Sequence, residues 1–455
     1  MKLVSFFSGC GGLDLGFEQA GFEVIWANEY DPSIHKTYCF NHRETYLCGK
    51  DIRKLEVSEI PDCDGFIGGP PCQSWSTGGK MRGLDDSRGR VFLDYIKLIK
   101  GKRPKFFLIE NVAGIISDHH FVTFHSFIST LSEAGYKVQY SVINTSHYGI
   151  PQERLRVIVV GIRNDLNCDF VFPFPNEKQK VSMKSAIGDI MEEPFPCMKG
   201  DKVKIELEGL SNNDYYAAPF DGYYFERNRH RDWDEVSYTI VASANVIPLH
   251  PSSPKMIRDS KKGWHFIEGE EDKYRRLSVR ECARLQSFPD DFVFFYDDIR
   301  DGYKMVGNAV PPKLGYQIAV ALKEAMEKSR LFHQSHSVLV GYYKSEEHLR
   351  SILKNRLYYV RTGFRKGAMQ LPAGEKQPDY LLLYHGEVKH LFELKNNEPF
   401  VCSADYLRGM GFQPNGDVYL CFEIESGKRK DVPVFLRQGL NYSRNFVPFI
   451  MKLEN

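Results

Sequence analysis

Over the first ~165 residues, short apolar runs alternate with segments of helical period. Residues 3–7, 23–28, 65–67, 106–110, 137–144 and 156–162 read as strands, most of them apolar on both faces. Residues 11–20, 32–41, 91–100 and 121–134 place their apolar side chains three and four apart and read as helices. Such alternation is the pattern of a parallel sheet wrapped by helices. From residue 164 to about 273 it lapses. Prolines cluster in Phe172-Pro173-Phe174-Pro175 and Glu193-Pro194-Phe195-Pro196, and aromatic and basic residues mix without a period. Helical spacing returns over 278–286 and 312–328, and the latter could pack back on the first domain. Beyond Arg330 the chain is rich in tyrosine and short strand-like runs. The divisions predicted are 1–164, 165–273, 274–330 and 331–455.

A chain of 455 residues is too long for one ordinary domain, and 42% hydrophobic content supports real cores. The net charge of +1 gives no global electrostatic case for nucleic acid, so any such surface must be a local basic patch. No two of the ten cysteines form a Cys-x-x-Cys pair, which speaks against zinc, and no metal ligand set is predicted. The N-terminus lacks the apolar core and cleavage site of a signal peptide, and no run approaches membrane-spanning length. A reducing cytoplasm is the expectation, with thiols free to react.

Candidate chemistry sits at the ends of the predicted strands. Gly68-Gly69-Pro70-Pro71-Cys72-Gln73-Ser74-Trp75-Ser76 mounts one cysteine on a stiff corner, where proline fixes φ and glycine frees it. Phe7-Ser8-Gly9-Cys10-Gly11-Gly12-Leu13 follows the first strand and opens a helix, a context that suits an anionic ligand; an ordinary turn is the alternative. Glu29, in Asn28-Glu29-Tyr30-Asp31, suits a grip on ribose hydroxyls, and Lys50-Asp51-Ile52 adds a carboxylate; taken alone, each reads first as a solvated loop charge. Glu110, in Glu110-Asn111-Val112, ends a buried strand, where ligand crevices lie in this architecture. Strand alternation from Gln152 would throw Arg154 and Arg156 to one face, to meet an anion or a polarised carbonyl, unless they serve solubility alone. Gly307-Asn308-Ala309-Val310-Pro311-Pro312 reads as a second stiff turn before a helix.

In this order, over residues 1–327, these segments and Arg276–Pro289 resemble the DNA cytosine-5 methyltransferase family. The resemblance implies an α/β fold: a Rossmann-like S-adenosylmethionine-dependent core, a small irregular target-recognition domain and here an additional β-rich C-terminal domain. It implies that the Cys72 thiolate adds to cytosine C6, that Glu110 holds or protonates N3, and that Arg156, with Arg154 beside it, contacts O2. For the cofactor, S-adenosyl-L-methionine, it implies Phe7 on the adenine, Gly9 and Gly11 at the methionine end, Glu29 on the ribose and Asp51 at the adenine amino group. Gly12, Leu13, Tyr30, Ile52, Pro71, Asn308 and Val310 complete that set. The target base must leave the duplex. Residues 73–90 resemble the family's mobile loop, with Gln73, Ser76 and Arg88 as DNA contacts. Arg227, Arg229 and Arg231, with His230 and Trp233, form the densest basic and aromatic patch of the recognition region and are expected on DNA.

The expected partner is double-stranded DNA, with no membrane, for a monomer in the bacterial cytoplasm or nucleoid; a cognate restriction endonuclease acting on the same site is the further partner considered. A relative acting on transfer RNA and a catalytically silent DNA-binding module are the competing readings. In the extension, Asp379, Glu393 and Lys395 match the Pro-Asp…Glu-x-Lys spacing of a magnesium-dependent nuclease family. The alternative is a small module whose Tyr358, Tyr359, Arg361, Arg365 and Lys366 bind nucleic acid or pack on the enzyme.

Overall fold

The computed structural model describes residues 1–71, 87–117, 120–166, 168–177, 180–201, 203, 205, 209–259, 263–335, 337–361, 378–385, 388–395, 399–426, 428–430 and 449–452. Contacts divide the chain into two units: Met1–Asn164 with Phe170–Leu322, and Asp165–Asp169 with Lys323–Asn455. The expected recognition and return segments, from Phe170 to Leu322, fall in the same unit as residues 1–164. Cys10 and Ile34 share a buried cluster with them, while Tyr224, Leu249, Met256 and Tyr274 form a small cluster of their own.

The first unit is built on β1 (Lys2–Phe6), α1 (Gly12–Gln19), β2 (Glu23–Asn28), α2 (Pro32–Asn41), β3 (Tyr46–Cys48), β4 (Gly65–Gly68), α3 (Ser87–Lys102), β5 (Phe106–Val112), α4 (Phe121–Glu133), β6 (Tyr136–Asn144) and β7 (Leu155–Arg163). These strands form one sheet in the order β3-β2-β1-β4-β5-β7-β6. β1 to β5 pair in parallel, but β7 runs antiparallel to both β5 and β6. The sheet is mixed, not parallel as the alternation suggested. The reason lies in residues 145–154, which return the chain without a crossover helix and so force an antiparallel neighbour. Strand β3 escaped the pattern because three residues with a mostly exposed Tyr46 carry no period.

Local signals explain the helix ends. Asp31 caps α2 by accepting from Ser33 N at 3.0 Å, with Pro32 in the first turn. Recognition-region elements follow: α5 (Met183–Ile187), β8 (Phe195–Cys197), β9 (Asp214–Tyr216), β10 (Ile257–Asp259) and β11 (Gly263–His265). Then come α6 (Val279–Leu285), α7 (Ile299–Asn308) and α8 (Pro312–Ser335). Gly307 and Asn308, expected in a turn, are the last residues of α7, and the turn is confined to Ala309, Val310 and Pro311. Helix α8 does return to the core. A Cβ on Gly16 of α1 would stand 2.3 Å from Pro312 O, so the two backbones touch.

Apolar side chains of β1, β4 and β5 pack with α3 and α4, and a second cluster joins α6 and α7 to the recognition region. That region has few strands, so its carbonyls need other donors. Buried arginines supply them. Arg276 donates to Tyr216 O at 3.0 Å and Ala218 O at 2.7 Å, with its guanidinium 4.0 Å from the Phe220 ring. Arg280 donates to the carbonyls of Ser211, Pro289 and Phe292.

The second unit contains β12 (Ser337–Tyr342), α9 (Glu346–Asn355), β13 (Leu357–Arg361), β14 (Tyr380–His385), β15 (Val388–Glu393), β16 (Phe400–Ser403), α10 (Ala404–Gly409), β17 (Val418–Glu423) and β18 (Phe449–Lys452). Its sheets run β15-β14-β12-β18 and β13-β17-β16. No helix among the described residues is long and apolar enough to cross a membrane.

Candidate active site

Parallel register brings the chemistry to the C-terminal ends of neighbouring central strands. Gly68 pairs with Ile109, so the Gly69-Pro70-Pro71 corner leaves β4 beside Glu110. A Cβ on Gly69 would lie 3.2 Å from Glu110 Oε2, and Asn111 Nδ2 donates to Pro70 O at 3.2 Å. Antiparallel pairing of β5 with β7 sets Val112 opposite Arg156. Arg156 Nε then meets Glu110 Oε1 at 2.8 Å, with both side chains nearly buried. The corner, Glu110 and Arg156 share one cavity of about 440 Å³ with the glycine loop after β1. Cys72, Gln73 and Ser76 lie outside the described residues, as does the side chain of Arg88.

Of the cofactor positions, Phe7, Gly9, Leu13, Glu29, Tyr30, Asp51, Ile52, Pro71, Asn308 and Val310 line that cavity. Gly11 and Gly12 do not; they serve packing. Gly11 caps α1 at φ +93°, and a Cβ there would strike the His42 ring. A Cβ on Gly12 would stand 2.5 Å from Val310 O. Gly9 has φ +55° and nothing within 4 Å of a Cβ position, so its loop is open toward the cavity.

The side chains of this wall are already oriented. Glu29 accepts from Gly9 N at 3.0 Å and Asp31 N at 2.8 Å. Burial pushes its pKa up, and the two N–H donors pull only part of the way back. Asn28 Nδ2 donates to Cys48 O at 2.9 Å and Lys50 O at 2.7 Å, which fixes the segment that carries Asp51. Asp51 is held by Arg53, whose side chain and N–H hold its pKa down. Sequence reading missed Lys304, which reaches from α7 across the rim to pair with Asp31. Partial burial pushes the Asp31 pKa up, but Lys304 and Ser33 outweigh it and the carboxyl is held low. Recognising α7 would have found it.

Two expectations are corrected. Arg154 does not stand beside Arg156 on a common strand face, since it precedes β7. It lines the same cavity but is 2% exposed, and its two terminal nitrogens donate to Ile240 O at 3.0 Å, Gly307 O at 2.9 Å and Ala309 O at 3.1 Å, which ties it to the fold. In the basic patch only Arg227 is exposed. Arg229 is buried, donates to Tyr224 O and Val246 O, and lies 5.3 Å from the Tyr224 ring. Arg231 pairs with Glu153 at 2.8 Å and Glu235 at 3.2 Å. Both tie loops that lack strands of their own.

In the second unit, Asp379 Oδ2 accepts from Ser337 N at 2.8 Å, Glu393 pairs with Lys430 at 2.9 Å and Lys395 with Glu423 at 3.5 Å. Tyr380 pairs with Glu393 across the ladder, so Asp379 falls out of step with Glu393 and Lys395. Among the described residues no three histidine, cysteine, aspartate or glutamate side chains converge on a metal-sized centre.

The cavity fits S-adenosylmethionine in kind. Its volume is that of a small-molecule site, the first turn of α1 opens on it, and a buried carboxylate stands where ribose hydroxyls need an acceptor. Comparisons agree. The model of the C-5 cytosine-specific DNA methylase family matches residues 1–324. The chain is 45% identical over 332 residues to the type II methyltransferase M.NgoPII of Neisseria gonorrhoeae, which covers 72% of this chain and 97% of that protein. It is 48% identical over 327 residues to M.MthTI of Methanothermobacter thermautotrophicus, covering 72% and 98%. In fold it is similar to the methyltransferase EhMeth of Entamoeba histolytica, with TM-score 0.52 and 18% identity over 72% of this chain and 98% of that one. By family match and by relatives of this similarity and coverage, the chain belongs to the C-5 cytosine-specific DNA methylases: it is a DNA (cytosine-5)-methyltransferase that uses S-adenosylmethionine.

Proposed function

We propose that the reaction runs through a covalent adduct of Cys72 on a cytosine flipped out of duplex DNA. The observation that carries this reading is the Glu110–Arg156 pair, held against the Gly69–Pro71 corner in the cavity that also takes the glycine loop. The corner presents the thiolate to C6. Glu110 shares a proton with N3 and so draws electron density toward that edge as the thiolate adds. Arg156 orients Glu110 and faces O2. S-adenosylmethionine supplies the methyl group that C5 takes up. Loss of the C5 proton then expels Cys72 and restores the ring.

Closing on DNA by the expected loop from Gln73, whose last residues Ser87–Arg90 belong to α3, and reading of the target sequence by residues 165–273 belong to the same proposal, as do a monomeric state, a cytoplasmic location and a partner endonuclease of the same specificity. Type II relatives support the last of these. Incubation with tritiated S-adenosylmethionine should label duplex DNA and leave transfer RNA unlabelled; label in RNA alone would overturn the substrate assignment. Arg227 and Arg229 should separate in a paired test. Arg227→Ala is expected to weaken DNA binding at unchanged melting temperature, because its side chain is exposed. Arg229→Ala should cost about 1–3 kcal/mol of stability, since it strands the buried carbonyl of Tyr224 and the half-buried one of Val246.

A further inference from the structure

Asp14 is the third residue of α1 and has no exposed surface, yet it lines the cofactor cavity together with Ser5. Its carboxylate accepts from Ser5 Oγ at 2.7 Å and from Tyr38 OH at 2.6 Å. Both donors are neutral. The cation that acts on it is His42, and His42 is itself engaged with Glu18 at 3.0 Å. Burial pushes the His42 pKa down, but Glu18, with Asp14 and the Gly11 backbone, outweighs burial and raises it, so one imidazole is shared between two carboxylates. Of the other groups that face this wall, Cys10 stays a neutral thiol, pushed up to about 12 by burial, and Glu29 adds a second carboxylate. The same cavity is lined by Asp31 paired with Lys304, Asp51 with Arg53, Glu110 with Arg156, and by Arg154; Asp14 and Glu29 are the lining carboxylates with no lysine or arginine ion pair among the described residues.

Such a charge does not serve the empty fold. Burial lifts the Asp14 pKa from 3.8 to about 6, with His42 and the two hydroxyls offsetting only part. A raised carboxyl pKa means that the folded state binds the proton more tightly than the unfolded chain. Stability is then lost as pH rises between those two values, and stays lost above them. The side chain is ionised at neutral pH at a cost to the protein without ligand.

We propose that Asp14 is a positioning residue that selects the donor by charge, favouring the sulfonium of S-adenosylmethionine over the neutral thioether of its demethylated product, S-adenosylhomocysteine. It acts through the field of the cavity wall, across Ser5 and the first turn of α1, without touching the reacting atoms. Both ligands carry the same adenosine and the same amino-acid end, so only the sulfur charge distinguishes them. A fixed anion behind the wall holds the donor and releases the spent product.

The inference rests on the reading of this cavity as the donor site, and calorimetric titration of the full chain with each ligand separates the two. Phe7→Ala should weaken both ligands alike; unchanged binding of both would remove the site reading and this inference with it. Asp14→Asn should weaken S-adenosylmethionine about tenfold, ~1.4 kcal/mol, and S-adenosylhomocysteine less than about threefold. Its melting temperature without ligand should equal or exceed that of the parent. Equal losses for the two ligands, or an unchanged ratio of their affinities, would reduce Asp14 to a structural tie and overturn the proposal. A pH series keeps the test open if that variant does not fold. In the parent, the preference for the donor should fall as pH drops through about 6. Tyr38→Phe removes a donor to the ionised carboxylate and should move that midpoint to higher pH. A midpoint that stays in place overturns the assignment to Asp14.

Discussion

Cys72→Ser is expected to abolish methyl transfer, by a factor of about 10⁵ or more in kcat, while DNA affinity stays within about threefold of the parent. The expectation follows from the order of the steps. C5 of cytosine is a weak nucleophile until C6 has been attacked, and the attack needs a softer and more acidic group than an alcohol. A thiol with a pKa near ~8.5 reaches its anion at neutral pH with modest help from its site; a serine hydroxyl does not. Geometry supplies the rest. Gly69 sits so close to Glu110 that a methyl group there would lie 3.2 Å from the carboxylate, and Asn111 holds Pro70 by its carbonyl. Neither contact involves the Cys72 side chain, so the variant should keep the corner, the Glu110–Arg156 pair and the DNA-facing surface. Filter-bound tritium counts and a gel-shift titration on the same duplex check the two halves separately. Measurable turnover by Cys72→Ser would remove the covalent route. Loss of DNA binding would mean that the thiol also supports the surface.

The residues that declare themselves in sequence do so because their neighbours are unusual. Two prolines before a cysteine, or three glycines in six residues after a strand, are costly arrangements that ordinary turns rarely need. That is why the loop of Phe7 and Gly9 stands out in the chain; Glu29, Asp51 and Glu110 are marked instead by strand ends and Arg156 by strand alternation, with their roles implied by the family resemblance, and all six line one cavity. Gly11 and Gly12 were marked by the same signal for a different reason, since His42 and Val310 occupy the space beside them. Charge misled in the opposite sense. An arginine in sequence shows five donors but not their acceptors, and the default assumption is solvent or a ligand. Arg154, Arg229 and Arg231 spend those donors on carbonyls and carboxylates within the fold, because the loop-rich region from 170 to 273 makes few ladder bonds of its own. Asp14 was passed over for a related reason. Between Leu13 and Leu15 it reads as the polar position of an amphipathic helix, and only packing shows that it faces inward. Helix α7 was missed because Gly302 and Gly307 interrupt its period. Both are required by contact: a Cβ on Gly302 would strike the Tyr296 ring, and one on Gly307 the Val241 carbonyl carbon.

Arg154→Ala should unfold the junction at the centre of the site, with a stability loss of about 3 kcal/mol or more. Its guanidinium joins three separate segments: Ile240 from the recognition region, Gly307 from the end of α7, and Ala309 from the turn into α8. Gln152 strengthens the same junction, donating to Gln286 Oε1 and accepting from Ile240 N, both at 2.9 Å. Truncation to alanine takes the guanidinium donor from all three carbonyls at once. Arg154→Lys keeps the charge but cannot span three acceptors, so it should recover only part of the loss. Gly307→Ala should fail in the same way, since its Cβ would come within 2.3 Å of the Val241 carbonyl carbon. The contrast with Arg156 makes the argument testable. Arg156→Lys leaves the buried carbonyls untouched and weakens the pairing with Glu110, so its urea midpoint should stay near the parent value while kcat falls by about 10²-fold. Were Arg154→Ala to fold with the parent's urea midpoint and lose only turnover, the guanidinium would be acting on the base after all, and the three carbonyls would be its resting partners.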